Sequence, residues 1–210
     1  MFDATSIIAA LVEGDEGKLT ELVREALAGG VSAKQILSDG LMSGMDVIGE
    51  KMENEDMFIP EVLKSARAMS NVVKILTPLL AEGDVSSAGK VVIGTVKGDL
   101  HDIGKNLVAM MLESAGFQVY NLGVDIAPEK FIASIKDQGA DVLCLSALLT
   151  TTMPMMKRTI DAVAASGLRE QVKILVGGAP VTQKFADDIG ADGYAPDAGS
   201  AVKAAKAVLQ

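Results

Sequence analysis

The sequence predicts an α/β chain in which an N-terminal four-helix cap precedes a flavodoxin-like (Rossmann-like) parallel five-stranded sheet. Three observations carry this. Apolar residues recur at helical spacing up to about residue 82; short continuous apolar runs alternate with helical stretches from residue 90; and a polar, glycine-rich segment at 83–89 divides the two patterns. The predicted organisation is therefore a cap at 1–82, a linker at 83–89 and an α/β domain at 90–210.

Each element has a local reason. A short first helix is expected at about 3–12. Leu19, Leu22, Val23, Ala26 and Leu27 follow the i, i+3, i+4, i+7, i+8 spacing of a second, and Gly29-Gly30 stops it. Ser32-x-x-Gln35 reads as a capping box opening a third helix, with Ile36, Leu37, Leu41, Met45, Ile48 and Met52 on one face. Pro60 suits the first turn of a fourth, whose stripe is Val62, Leu63, Ala66, Met69, Val73 and Leu76. Beyond the linker, strands are expected at 91–96, 118–122, 142–146 and 173–176, with a weak one near 193–194. Helices are expected at about 105–115, 128–138, 154–166, 181–189 and 198–209. Continuous apolar strands alternating with helices indicate a parallel sheet covered on both faces. Five of them fit the order 2-1-3-4-5, whose crevice lies between strands 1 and 3.

Composition narrows the function. With 210 residues and 49% of them hydrophobic, the chain has ample material for a core and is not disordered. Mean hydropathy is +0.33, yet no apolar run approaches the ~20 residues that span a bilayer. No membrane association is expected. Met1-Phe2-Asp3-Ala4 lacks a basic leader, and one Cys excludes an internal disulfide, so a cytoplasmic location is expected. The net charge of −9 argues against nucleic acid as a partner. The charge is uneven, because 1–89 holds 15 acidic and 7 basic residues and 90–210 holds 13 and 12.

The unusual residues fall in the loops that the topology places around the crevice. These are Gly98-Asp99-Leu100-His101-Asp102-Ile103-Gly104, then Ser146 to Thr152, then Gly177-Gly178-Ala179-Pro180. A phosphate loop is excluded: the glycine spacing is one residue too long, Asn106 stands where Ser or Thr is needed, and two Asp would repel phosphate. A protein-built zinc site fails on ligand number, with one His and one distant Cys. Cys144 lies within an apolar strand and reads as a core residue. What one His beside one Asp can do is ligate a metal that brings its other ligands with it. Asp99 would fix the tautomer and raise the basicity of the second ring nitrogen. A metal-bearing macrocycle meets that requirement.

The pattern Asp99-x-His101-x-x-Gly104, 41 residues, Ser146-x-Leu148, 28 residues, Gly177-Gly178 resembles the base-off, His-on cobalamin-binding signature. Residues 57–69, Met-Phe-Ile-Pro-Glu-Val-Leu-Lys-Ser-Ala-Arg-Ala-Met, resemble the helical cap that precedes that domain in methionine synthase and in corrinoid methyltransferase proteins. The whole chain is similar to a free-standing corrinoid protein of a multi-component methyltransferase system.

That resemblance implies cobalamin or a related corrinoid, with its cobalt, as cofactor. His101 would be the lower axial cobalt ligand, with Asp99 as its partner. Thr152 would be the hydroxyl-bearing third relay member, where methionine synthase has Ser. Ser146 would bond the displaced base, and Thr150 the tail or a corrin amide. Gly177, Gly178 and Gly104 would admit the nucleotide tail. Gly98, Asp102, Ile103 and Leu148 complete the contacting loops, Tyr194 and Ala198 match a further contacting turn, and Phe58, Val62 and Met69, with Met42 and Met45, would cover the upper face. The implied activity is that of a methyl carrier rather than a catalyst on its own. It would accept a methyl group on cob(I)alamin from a substrate-specific methyltransferase. It would donate that group, through a corrinoid:acceptor methyltransferase, to a tetrahydrofolate or a thiol. A reductive activator is the third implied partner. Alternatives are the cobalamin-binding subunit of a mutase, a cobalamin-sensing regulator, or a flavodoxin-like protein without corrinoid. The sensor class typically needs a Trp and a second His in the cap, and the chain has no Trp and a single His.

Overall fold

The computed structural model describes residues 3–80 and 88–210. Apart from Ala88 and Gly89, the expected linker at 83–89 lies outside the described residues. The chain forms two compact units, one helical and one built on a sheet.

The helical unit comprises α1 (Ala4–Val12), α2 (Glu16–Ala28), α3 (Ala33–Gln35) continuing into α4 (Ser43–Glu53), and α5 (Ile59–Leu76). Each start is fixed by a carboxylate or hydroxyl satisfying free backbone donors. Asp3 accepts from the Thr5 N–H at 3.0 Å, Asp15 from Lys18 at 3.0 Å and Ser32 from Gln35 at 3.2 Å. At α5, Glu61 reaches back to the Phe58 N–H at 2.9 Å, with Pro60 in the first turn. Only the Ser32 half of the expected capping box is formed.

The expected third helix departs from the 3.6-residue period. Ile36–Met42, between α3 and α4, is π-helical. Ser38, Asp39 and Gly40 are weak α-formers, and Ser43 Oγ donates to the Ser38 carbonyl five residues back at 3.1 Å. The glycines there also permit close packing. A Cβ on Gly40 would lie 2.9 Å from Ile7 Cγ2, and one on Gly44 would lie 2.8 Å from Leu11 Cδ2.

The second unit is an all-parallel sheet in the order β2-β1-β3-β4-β5. Its strands are β1 (Lys90–Thr95), β2 (Gln118–Asn121), β3 (Val142–Ser146), β4 (Lys173–Gly177) and β5 (Gly193–Ala195). The connecting helices are α6 (Ile103–Ser114), α7 (Pro128–Gln138), α8 (Pro154–Ala165) and α9 (Gln183–Ile189), and α10 (Ala198–Ala207) closes the chain. Val91–Ile93, Val142–Leu145 and Ile174–Val176 are buried without alternation, as a sheet covered on both faces requires. Register brings Thr95, Ser146, Gly177 and Ala195 into one row at the carboxyl ends of β1, β3, β4 and β5. The loops after β1, β3 and β4 therefore leave the sheet side by side.

One packing contact ties α7 to the sheet centre. Phe131 is fully buried, and a Cβ on Gly94 of β1 would lie 2.7 Å from its Cε1. Gly94→Ala should therefore cost about 1–3 kcal/mol by overpacking and Phe131→Ala about 3–5 kcal/mol by cavity formation. Urea unfolding of each apoprotein checks this, and the two losses should not be additive, since the residues are in contact.

Candidate functional site

The site grows from the loop between β1 and α6. Gly98 adopts φ +85°, a left-handed turn that favours glycine, and Asp99 follows it into the interior. The Asp99 carboxylate is fully buried and accepts four hydrogen bonds. Oδ1 takes His101 Nδ1 at 2.7 Å and the His101 peptide N–H at 3.1 Å. Oδ2 takes the Leu148 N–H at 2.8 Å and the Thr152 hydroxyl at 2.7 Å. Burial alone would raise this carboxyl's pKa. The bonds from Thr152, Leu148 and His101 outweigh burial and hold it well below the usual carboxylate range.

With Asp99 ionised and acceptor-only, His101 Nδ1 carries the proton and Nε2 presents a bare lone pair. No described residue hydrogen-bonds Nε2, and the His101 side chain is half exposed. The ring is fixed at its base and open at its tip. The Thr152 hydroxyl also lies 2.9 Å from the Leu149 carbonyl. Its single proton serves either that carbonyl or Asp99.

The structure thus brings Asp99, His101 and Thr152 together across the crevice between β1 and β3. Ser146 ends β3, half-buried and paired in register with Thr95 and Gly177. Leu148 joins the cluster through its backbone, while its side chain is exposed. Leu100, Ile103 and Leu149 are exposed as well. Thr150 is also exposed, and Asp102 accepts from Asn106 Nδ2 at 3.0 Å.

The glycines divide into two kinds. A Cβ on Gly177 would lie 2.9 Å from the Ala195 carbonyl oxygen. On Gly178, at φ +133°, it would lie 1.9 Å from that of Ala147. Neighbouring backbone fills the space beside both. Gly104 instead faces open space, with nothing within 4 Å of a Cβ. Tyr194 lies half-buried in β5 and Ala198 is buried at the start of α10. In the helical unit Phe58 is exposed ahead of α5, whereas Val62, Met69 and Met45 are buried.

Two contributors escape a reading of side-chain types. Thr95, buried at the end of β1, donates its hydroxyl to the His101 carbonyl at 2.8 Å. The Leu148 N–H is a backbone donor. A hydroxyl closing an otherwise apolar strand was the available signal for the first, and the second has none.

The donor set matches a metal that carries its own macrocycle. Among the described residues no cluster of three or more His, Cys, Asp or Glu could hold a bare ion. One oriented, half-exposed imidazole nitrogen does stand on a segment that also carries the exposed Leu100 and Ile103. The fold and this site together define a cobalamin-binding protein with a helical unit ahead of its α/β domain. Family models described as B12 binding domain match residues 89–203 and, separately, 4–77. Dimethylamine corrinoid protein 1 of Methanosarcina acetivorans is 45% identical over 186 residues, covering 88% of this chain and 87% of its own. A cobalamin-binding protein from Desulfitobacterium hafniense DCB-2 superposes with a TM-score of 0.85 at 31% identity, covering 97% of each chain. A chain of the methanol:cobalamin methyltransferase complex of Methanosarcina barkeri gives 0.82 at 30%, covering 98% of this chain and 79% of that one. The chain belongs to the B12-binding corrinoid protein family.

Asp99→Asn tests the buried carboxylate. Whichever way the amide turns, its NH₂ faces a backbone N–H, that of His101 or that of Leu148, and one buried donor is left unpaired. The loss of apoprotein stability should be about 1–3 kcal/mol at neutral pH. Because the folded carboxyl titrates below its ordinary 3.8, its contribution is complete above that value and fades as pH falls beneath it. The difference between parent and variant should therefore shrink below about pH 3.8, as followed by urea unfolding across pH.

Proposed function

We propose that this protein is a corrinoid methyl carrier, taking a methyl group delivered by a substrate-specific methyltransferase and yielding it to an acceptor methyltransferase. The observation that carries this reading is the half-exposed His101, oriented through Nδ1 by a buried carboxylate and bare at Nε2. When bound, the corrinoid supplies a cobalt centre that accepts and releases a methyl group; the protein supplies ligation, burial and access.

In this reading His101 Nε2 would ligate the cobalt, and Asp99 would raise its donor strength through Nδ1. When Nε2 is not engaged it can take a proton, and the resulting imidazolium lies 2.7 Å from a carboxylate already ionised and buried. Thr152 can turn its proton toward Asp99 or toward the Leu149 carbonyl, adjusting how much negative charge faces the ring. Leu100, Ile103, Leu148 and Leu149 are exposed and would supply apolar contacts to the bound corrinoid. Ser146, Thr150, Asp102, Tyr194 and Ala198 are assigned to the cofactor's edges and tail. Gly98 shapes the loop, and Gly104 leaves room for the tail.

The methyl donor class we favour is a methylated amine, supported by the dimethylamine corrinoid protein that shares 45% of aligned residues. The acceptor is a tetrahydrofolate or a thiol. A reductive activator is the third partner of this reading. The carrier role is tested by supplying the reduced, corrinoid-loaded protein with isotopically labelled dimethylamine, trimethylamine or methanol and the matching methyltransferase. Label should appear on the protein-bound corrinoid with a methylated amine. Label with methanol alone would move the donor class, and label with none would overturn the carrier reading.

Ligation is tested by His101→Ala. In ¹⁵N-labelled parent loaded with unlabelled cofactor and poised at Co(II), the superhyperfine lines should be doublets from a protein nitrogen. The alanine variant should lose them and bind hydroxocobalamin about 10–100-fold more weakly. Unchanged doublets would remove His101 from the cobalt.

The two kinds of glycine should separate. Gly178→Ala should destabilise the apoprotein by more than about 2 kcal/mol, from left-handed strain and backbone collision. Gly104→Ala should leave the apoprotein as stable as the parent, or about 0.5–1 kcal/mol more so, because it lies in α6. Its cost should appear in hydroxocobalamin affinity alone. Thermal unfolding paired with a binding titration distinguishes the two.

A further inference from the structure

Asp125 lies outside every loop assigned above, in the turn between β2 and α7. It is one of two non-glycine residues at positive φ among the described residues, at +56°. A side chain held there costs of order 1–3 kcal/mol unless its surroundings require it. The surroundings are the histidine loop. Asp125 Oδ1 accepts the Gly98 N–H at 2.8 Å, and Oδ2 pairs with Lys97 Nζ at 3.0 Å. The Asp125 N–H donates to the Asp99 carbonyl at 3.0 Å. Three consecutive residues leading into Asp99 and His101 are thus held by one side chain and its own backbone. The neighbouring bonds run the same way. Thr95 N–H donates to the Gly123 carbonyl, and Ile126 N–H to that of Thr95, each at 3.0 Å.

The bonds are not equivalent. Lys97 and Asp125 are both about half exposed, so their ion pair contributes little. The Gly98 N–H bond acts at the left-handed turn that sends Asp99 inward. Losing it frees the turn that sets how far His101 stands from the sheet edge. The bonds from Gly98 and Lys97 also hold the Asp125 carboxyl below its ordinary range, so it is an anion whenever the site is used.

We propose that Asp125 is a positioning residue for the corrinoid ligand, fixing the Gly98 turn so that the Asp99–His101 pair presents Nε2 in one orientation. It reaches Lys97, Gly98 and the Asp99 backbone, and it acts on His101 through them. The proposal rests on the corrinoid reading for its purpose, and on the apoprotein's geometry for its substance.

Two variants test it. Asp125→Gly removes the carboxylate and relieves the strained φ, so the fold should survive. Asp125→Asn keeps an acceptor for Gly98, tolerates positive φ and abolishes the ion pair. Because the chain has one His, long-range ¹H–¹⁵N spectra of the apoprotein report on His101 alone. At a pH where the ring is neutral, the parent should show the Nδ1–H tautomer. The glycine variant should show a tautomer mixture, and the asparagine variant the parent's pattern. Hydroxocobalamin affinity should fall about tenfold for glycine and stay near the parent's for asparagine. A glycine variant matching the parent in both tautomer and affinity overturns the proposal, and so does an asparagine variant as impaired as glycine. If the parent itself fails to bind hydroxocobalamin, the corrinoid reading fails, and the apoprotein spectra still decide whether Asp125 orients His101.

Discussion

The buried Asp99 carboxylate is the interaction on which the site depends. A carboxylate withdrawn from water is costly unless its lone pairs are satisfied, and here four donors satisfy them. Two come from the loop after β1 and two from the loop after β3. The charge therefore fastens the two loops that flank the topological switch point to each other. That fastening is possible because β1 and β3 are adjacent in the sheet and end in register. Sheet order, loop geometry and imidazole tautomer are one chain of consequence. Protonating or removing Asp99 would loosen the last two, so the same residue bears on stability and on the orientation of the imidazole.

Much of the architecture is legible in residue patterns. Val91–Ile93 and Val142–Leu145 read as buried strands because nothing polar interrupts them, and the structure buries them without alternation. Gly29-Gly30 and Pro60 mark helix boundaries through backbone restrictions that hold in any fold. The π-helical stretch at Ile36–Met42 was not legible. Its apolar residues still fall on one side, so a 3.6-residue template fits them tolerably, and the weak helix-formers at 38–40 only lower the barrier to a wider turn. The Thr95 bond to the His101 carbonyl was hidden for another reason. It joins a side chain to a backbone atom, and residue types carry no record of backbone acceptors.

Within the site, the legible part is the pairing of side chains at short separation. Asp99 and His101 stand two residues apart, and the structure places them 2.7 Å apart. Thr152 is 53 residues from Asp99, and only the resemblance named it. The glycines show where a reading from residue type stops. All three lack a side chain, yet Gly177 and Gly178 lie against neighbouring carbonyls, whereas Gly104 borders nothing. The first two are required by the sheet and the loop beside it, whatever is bound. No such requirement acts on Gly104. At this position in a helix's first turn alanine would be intrinsically better, and no contact among the described residues accounts for the glycine.

The same reasoning applies to the apolar side chains around the histidine. Leu100 and Ile103 are 72% and 78% exposed, and Leu148 and Leu149 are about two-fifths exposed. Isolated exposed apolar side chains need no explanation, but these four lie on the two segments that the Asp99 carboxylate fastens together. His101, Leu148 and Thr152 are tied to one buried charge, which holds the backbones of the two loops together. A small polar ligand would leave them in water, and a bare metal ion would find one nitrogen where it needs several. A broad, flat ligand with a metal at its centre would satisfy the bare nitrogen and these apolar side chains together.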